Sequence, residues 1–223
     1  MSKIAQEMAL RGSQLWLQQM VSCNAECLNK IIRKRLHLAK NIGITWLSPR
    51  PGDNYAEYRD EDFIKLLDVK LKFPLESFWP EGGPVWDGLA KTSDGKILLV
   101  EAKAHARELK SCIKATAPSS CALINKSLGE AKDFFHASPM ADWTEPYYQY
   151  ANRLAHLYFL REKNGIDAYL LFLYFMNDMA MNGPRSQSEW ESIIDEVHEH
   201  LDVAREQLGE RVIDIFIDVS KLI

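Results

Sequence analysis

The chain predicts an α/β protein, a mixed central sheet flanked by helices, with an additional helix and strand toward its C-terminal end. Three observations carry that expectation. Residues 84–105 (PVWDGLAKTSDGKILLVEAKAH) read as a β-hairpin, two short apolar runs around Thr92-Ser93-Asp94-Gly95. Gly95 can take the positive φ that such a loop needs. Residues 166–175 (IDAYLLFLYF) form a continuous apolar run of strand length, as expected of a strand buried on both faces. Between and around these stretches, apolar residues recur at helical spacing.

In chain order, residues 13–38 predict helix, with Leu15, Leu17, Met20, Val21, Leu28, Ile31, Ile32 and Leu36 recurring; Asn24 is a candidate cap for a second helix within the segment. Asn41-Ile42-Gly43 ends it, and residues 44–47 form a short strand stopped by the Ser48-Pro49-Arg50-Pro51-Gly52 loop. A helix over 60–71 follows, with Asp60 as N-cap and Phe63, Leu66, Leu67 and Leu71 as its apolar stripe. The turn-rich stretch 74–84 delivers the chain to the hairpin, with Phe78 and Trp79 packed over its mouth. Beyond His105 a helical start is broken by Pro118-Ser119-Ser120, and 124–135 is helix. Residues 147–163 give the clearest helix, with Pro146 suited to its first turn and Asn164-Gly165 to its exit. Gln149, Arg153 and His156 share one face of it as a polar stripe. Residues 177–188 are loop, Ser188 and Glu191 make a capping box for an amphipathic helix, and 212–219 is an edge strand with Asp214 and Asp218 outward. The expected organisation is one domain over 1–223: a helical arm and strand (1–56), a core (57–175) and a helix-strand extension (176–223).

The chemistry concentrates on the hairpin. Alternation along its second strand puts Ile97, Leu99, Glu101, Lys103 and His105 on one face. With a three-residue loop, Thr92 faces Lys96 and Asp87 falls opposite Glu101. Facing carboxylates repel. A divalent cation reverses that sign, and Mg²⁺ is commonly held by one or two carboxylates, waters and a substrate phosphate. Lys103 points into the same space.

Asp87 followed by Glu101-Ala102-Lys103 resembles the PD-(D/E)xK nuclease superfamily, with Val85-Trp86-Asp87 in place of the usual Pro-Asp and Pro84 three residues ahead of the acid. The resemblance implies a restriction-endonuclease-like α-β-β-β-α-β core. It also implies a Mg (or Mn) ion held by Asp87, Glu101 and the Ala102 carbonyl, with Lys103 orienting the attacking water. Many members add an upstream carboxylate. Glu57, Glu61 and Glu26 are candidates, and Glu57 is favoured because Tyr55 and Tyr58 flank it at a loop edge. Members often place a Gln or a basic residue from the following helix over the site, positions that Gln149 and Arg153 suit, with Gln149 taken as the site member. Here Gln149-x-x-x-Arg153 stands where the RecB-like exonuclease branch has Gln-x-x-x-Tyr. The expected function is a metal-dependent nuclease that hydrolyses phosphodiester bonds of nucleic acid, DNA before RNA. The alternative is a catalytically inactive nuclease-like module that binds nucleic acid or a protein partner. A structural partner protein is a third reading, favoured if Trp79, Trp86, Trp143, Tyr147 and Tyr148 form an exposed patch.

Composition narrows the field. Hydrophobic (47%) and charged (26%) fractions are ordinary for a soluble globular protein. No apolar run reaches membrane-spanning length, and the first residues lack a signal-peptide core. Cys23, Cys27, Cys112 and Cys121 show neither CxxC spacing nor a disulfide framework, so reduced thiols and a cytoplasmic location are expected. A net charge of −4 makes any nucleic-acid contact local, drawing on the basic stretches 30–40 and 96–132 opposite an acidic 188–218. There is no GxGxxG, Walker loop or GxSxG elbow, and the histidines lack zincin spacing. The edge of the last strand offers a surface for a homodimer.

Overall fold

A computed structural model describes residues 2–222. In chain order the elements are β1 (Lys3–Ile4), α1 (Gly12–Cys23), α2 (Ala25–Arg35), β2 (Ile44–Ser48), β3 (Glu57–Tyr58), α3 (Asp60–Leu67), β4 (Gly88–Thr92) and β5 (Ile97–Lys103). They continue with α4 (Pro118–Phe134), α5 (Tyr148–Tyr158), β6 (Ala168–Met176), α6 (Gln187–Leu201), α7 (Arg205–Leu208) and β7 (Val212–Asp218). Five strands form one mixed sheet in the order β2-β4-β5-β6-β7. The first three run as an antiparallel meander, and β6 and β7 join parallel to β5 and β6. A separate two-stranded ribbon pairs β1 with β3. The sheet therefore draws strands from all three parts into which the sequence divides.

Helices cover both faces. Leu98, Val100, Ala102 and Ala104 of β5 pack with Leu17, Met20, Leu28 and Ile32 of α1 and α2. Ile97 and Leu99 share the other core with α3, α4, α5 and α6. The period-2 alternation expected for β5 thus separates two cores. Each fully buried Leu or Phe contributes about 1.5–3 kcal/mol relative to exposure, so the sheet is anchored from both sides. β6, the long apolar run, is buried along its length except at Met176.

Hairpin pairing matches the expected register: Lys91 faces Ile97, Ala90 Leu98, Leu89 Leu99 and Gly88 Val100. The Thr92 amide donates to the Lys96 carbonyl at 2.9 Å, and Gly95 takes φ 91°. One further step along this ladder sets Asp87 opposite Glu101.

Residues 13–38 divide at Asn24, the candidate cap of a second helix. Several other local expectations are corrected. Asp60 does not cap α3. Its carboxylate instead accepts the Gly82 and Gly83 amides, with Gly83 at 2.8 Å, and so ties the approach to the hairpin. α3 stops at Leu67 because Asp68 turns left-handed (φ 47°), and Leu71 lies beyond it. Only a short 3₁₀ turn, Ala106–Leu109, follows β5. Pro118 opens α4 instead of breaking a helix, since a first-turn proline lacks only an amide that would go unbonded anyway. The helix cap sits two residues earlier than expected, without the reciprocal half of a capping box: Ser186 accepts the Glu189 amide, and the Glu189 carboxylate accepts the amide of Arg185, not that of Ser186. Asp214 of β7 is not a solvated outer acid. Its side chain is 13% exposed, and burial pushes its carboxyl up to about 6.

Candidate active site

β5 brings Glu101 and Lys103 onto the face that carries α5. Glu101 has no exposed surface and Lys103 keeps 5%. A buried carboxylate is tolerated only with strong partners. Glu101 has one on each oxygen: Lys103 Nζ on Oε1, and Arg153 Nε on Oε2 at 2.6 Å. Burial pushes the Glu101 carboxyl up, and Arg153 followed by Lys103 outweighs it, holding the group below the usual carboxylate range.

Arg153 is 1% exposed and fully engaged. Besides Glu101 it donates to the Val85 carbonyl at 2.7 Å and the Asn152 side chain at 2.9 Å, and its guanidinium lies 4.7 Å from the Trp86 ring centre. One turn earlier on α5, Gln149 accepts from Lys103 Nζ at 3.0 Å. The expected polar stripe therefore turns toward the sheet. His156 belongs to the same inward face. It is 1% exposed, packs against Phe63, Phe78, Trp79 and Trp86, and is lowered by burial to about 3, so it is a neutral core residue.

Asp87 comes from the residue just before β4. Its Oδ2 accepts the Ala102 amide at 2.8 Å. Burial first, then the Glu101 and Glu57 charges, push its carboxyl up to about 8, with Lys103 pulling the other way. Glu57 stands on β3 and accepts Gln14 Nε2 at 3.0 Å and Gln6 Nε2 at 3.2 Å. Burial raises its carboxyl, and the Glu101 charge adds to that. Of the three upstream candidates, Glu57 is the one whose charge is felt by Asp87; Glu61 pairs with Lys65 and Glu26 with Arg33.

The structure thus gathers Asp87, Glu101, Lys103, Glu57 and Gln149. It brings in Arg153, the basic candidate of the same helix, on Glu101, and adds Gln6 and Gln14, which were outside the expected site. Arg153 left a trace in the sequence as a charge set in Ala151-Asn152-Arg153-Leu154-Ala155, where every neighbour on the strip is small or apolar except Asn152. The two glutamines left none, since they arrive on a segment that only tertiary pairing lays across Glu57.

The donor chemistry suits a hard cation: carboxylate oxygens, with three acids set against two cations in a place of low hydration. The Asp87 and Glu57 carboxyls are raised by burial first and by the neighbouring acids second. Among the described residues, however, no group of three or more His, Cys, Asp or Glu side chains stands preassembled at metal-holding distances. Both Glu101 oxygens are already engaged.

A cleft of about 730 Å³ ends on Gln149 and Arg153, the direct partners of Lys103 and Glu101. Gln149, Asn152 and Arg153 line it from α5, and Arg59, Lys114 and Tyr148 stand around it. The Asn152 side chain accepts from Arg153, so a chain of contacts runs from Asn152 through Arg153 to Glu101. The conspicuous aromatics form no exposed patch: Trp79, Trp86, Trp143 and Tyr147 are buried, and Tyr148 is half-buried.

Comparison with known proteins finds no family model, curated protein or solved structure that matches the chain. No helix among the described residues is long and apolar enough to cross a membrane.

Proposed function

We propose that the protein is a metal-dependent nuclease of the PD-(D/E)xK type, hydrolysing phosphodiester bonds of nucleic acid. The observation that carries this reading is the convergence of Asp87, Glu101, Lys103, Glu57 and Gln149 at one end of a hairpin inside a helix-covered sheet. The antiparallel meander followed by a helical crossover to a parallel strand also agrees with an α-β-β-β-α-β core. On this reading α1 and α2 supply the leading helix and β2 the first strand, earlier in the chain than residue 57.

Asp87 and Glu101 would hold Mg²⁺ or Mn²⁺ with the Ala102 carbonyl, and Glu57 would add charge beside Asp87. When bound, the cation polarises the phosphate and makes a water more acidic. Lys103 holds the attacking water and stabilises charge building on the phosphate. Gln149 keeps the Lys103 ammonium aimed at that point. Arg153 keeps Glu101 ionised and fixed while Lys103 exchanges partners.

Cleavage of labelled single- and double-stranded DNA and RNA with Mg²⁺ or Mn²⁺ tests the proposal. Wild type should cut, and Asp87→Asn and Lys103→Met should each lose about 100-fold or more in rate, the scale of a lost proton-handling or charge-stabilising group. Wild type that neither cuts nor binds either metal would move the assignment to the non-cutting binding module.

A further inference from the structure

This inference rests on the nuclease reading and names the form of its substrate. The groups assigned to hydrolysis are recessed: Glu101 has no exposed surface and Lys103 keeps 5%. The cleft of about 730 Å³ ends on their direct partners, Gln149 and Arg153. That volume is typical of a site for a small molecule and leaves room for a nucleotide or two. A base-paired duplex is stiff and broad, and cannot carry one phosphate into such a recess without first separating its strands. An unpaired strand can.

The lining chemistry agrees. In a chain of net charge −4, the charged side chains around the cleft are Arg59, Lys114 and Arg153 against Glu81 alone. Lys114 is exposed and makes no ion pair among the described residues, which leaves it able to meet a phosphate. Tyr148, half-buried and adjoining Gln149, offers a ring face of the kind on which bases stack irrespective of sequence. Asn152, one turn along α5 from Tyr148, is joined through Arg153 to Glu101, so the same helix carries the ring and the support of the carboxylate.

We infer that this cleft binds an unpaired strand of nucleic acid, one or two nucleotides of it, with Lys114 on a phosphate and Tyr148 against a base. The small number of cations sets the footprint. Arg59 is paired with Asp60 and Arg153 with Glu101, so one phosphate contact, at Lys114, gives a salt slope of about −0.7 for a single strand, far shallower than the steep dependence of proteins that neutralise 6–10 or so duplex phosphates.

Fluorescence anisotropy with a short labelled oligothymidine and with the matching duplex, both in EDTA so that nothing is cut, tests the inference on the full chain. The single strand should bind about tenfold or more tighter than the duplex, with the shallow salt slope. Lys114→Glu, on an exposed loop, and Tyr148→Ala should each weaken strand binding about tenfold, the scale of one lost stacking or phosphate contact. Thermal melts of each variant separate lost binding from lost folding, and Lys114→Glu serves alone if Tyr148→Ala does not fold. Equal or tighter duplex binding, or cleft variants that bind like wild type, overturns the inference. The two proposals fail separately: strand binding by a wild type that never cuts removes the hydrolysis and keeps the cleft's occupant. Cutting with a preference for duplex does the reverse.

Discussion

Glu101 keeps its charge where water does not reach, because Arg153 and Lys103 each take one of its oxygens. Removing one partner of a buried ion pair leaves an uncompensated charge. Arg153→Met should therefore cost about 3–5 kcal/mol in urea unfolding, and the double variant Arg153→Met/Glu101→Met should recover much of it. A double variant as unstable as the single one would mean that Arg153 acts through its contacts to Val85 and Trp86 instead. Lys103, 5% exposed and bonded to Glu101 and Gln149, is part of the packing, so Lys103→Ala should cost stability as well as cleavage. Lys103→Met keeps the volume and is the cleaner test of chemistry. Asp87 supplies a pH dependence. Its carboxyl, raised to about 8, is protonated in the folded chain over a range where an unfolded Asp is ionised. The folded state binds more protons there, so this group makes stability fall as pH rises from about 4 to about 8. Glu101, held low, works in the opposite direction, losing stabilisation as pH falls through its folded value. Comparing the unfolding free energy of wild type and Asp87→Asn across pH isolates the first effect. The difference should shift in favour of Asp87→Asn as pH rises, and a flat difference would show that Asp87 is ionised in the folded protein.

Elements succeed or fail on local chemistry, and their ends are where neighbours in space intervene. The hairpin was legible because Gly95 and the alternation on either side of it are local signals. The α6 cap lies two residues before the expected Ser188 because Ser186 and Ser188 carry equal local credentials, and the Glu189 carboxylate bonds the Arg185 amide while Glu191 bonds the Gln187 side chain. α3 lost its cap because Asp60 was recruited by Gly82 and Gly83, far along the chain. One glycine is demanded by a close approach that no local pattern announces. A Cβ on Gly183 would stand 2.0 Å from the Ala104 carbonyl oxygen, immediately past Lys103. Gly183→Ala should cost about 1–3 kcal/mol or more, because backbone must move to admit the methyl. Its denaturation midpoint, compared with that of Gly52→Ala, where nothing lies within 4 Å of the added atom, gives the control. A Gly183→Ala protein as stable as wild type would mean that the 177–185 loop yields without resistance.

Across the whole molecule, two cores on opposite faces of one sheet hold β5 in place, and the acidic end of that strand is the exception within a buried element. Crowding Asp87, Glu101 and Glu57 stores a repulsion that a bound cation relieves, so ligand binding should appear as stability. At about 100 times its dissociation constant, Mn²⁺ or Mg²⁺ should add about 2.7 kcal/mol to unfolding. The melting temperature should rise in wild type, and Asp87→Asn should lose most of that rise. No shift at millimolar metal would remove the cation from the proposed mechanism.

The sequence by itself determined the α/β class, the hairpin and its register, the two-faced burial of β6, and the small set of Asp87, Glu101, Lys103, Glu57 and Gln149. These follow from periodicity and turn chemistry, which act between residues a few positions apart. Only the tertiary structure decided that Arg153 closes on Glu101 and that the Gln149, Arg153 and His156 stripe faces inward. It alone laid Gln6 and Gln14 against Glu57 through the pairing of β1 with β3. Those contacts join positions some fifty residues apart. Burial and charge compensation select them, and both are properties of the packed molecule that no short stretch of chain expresses alone.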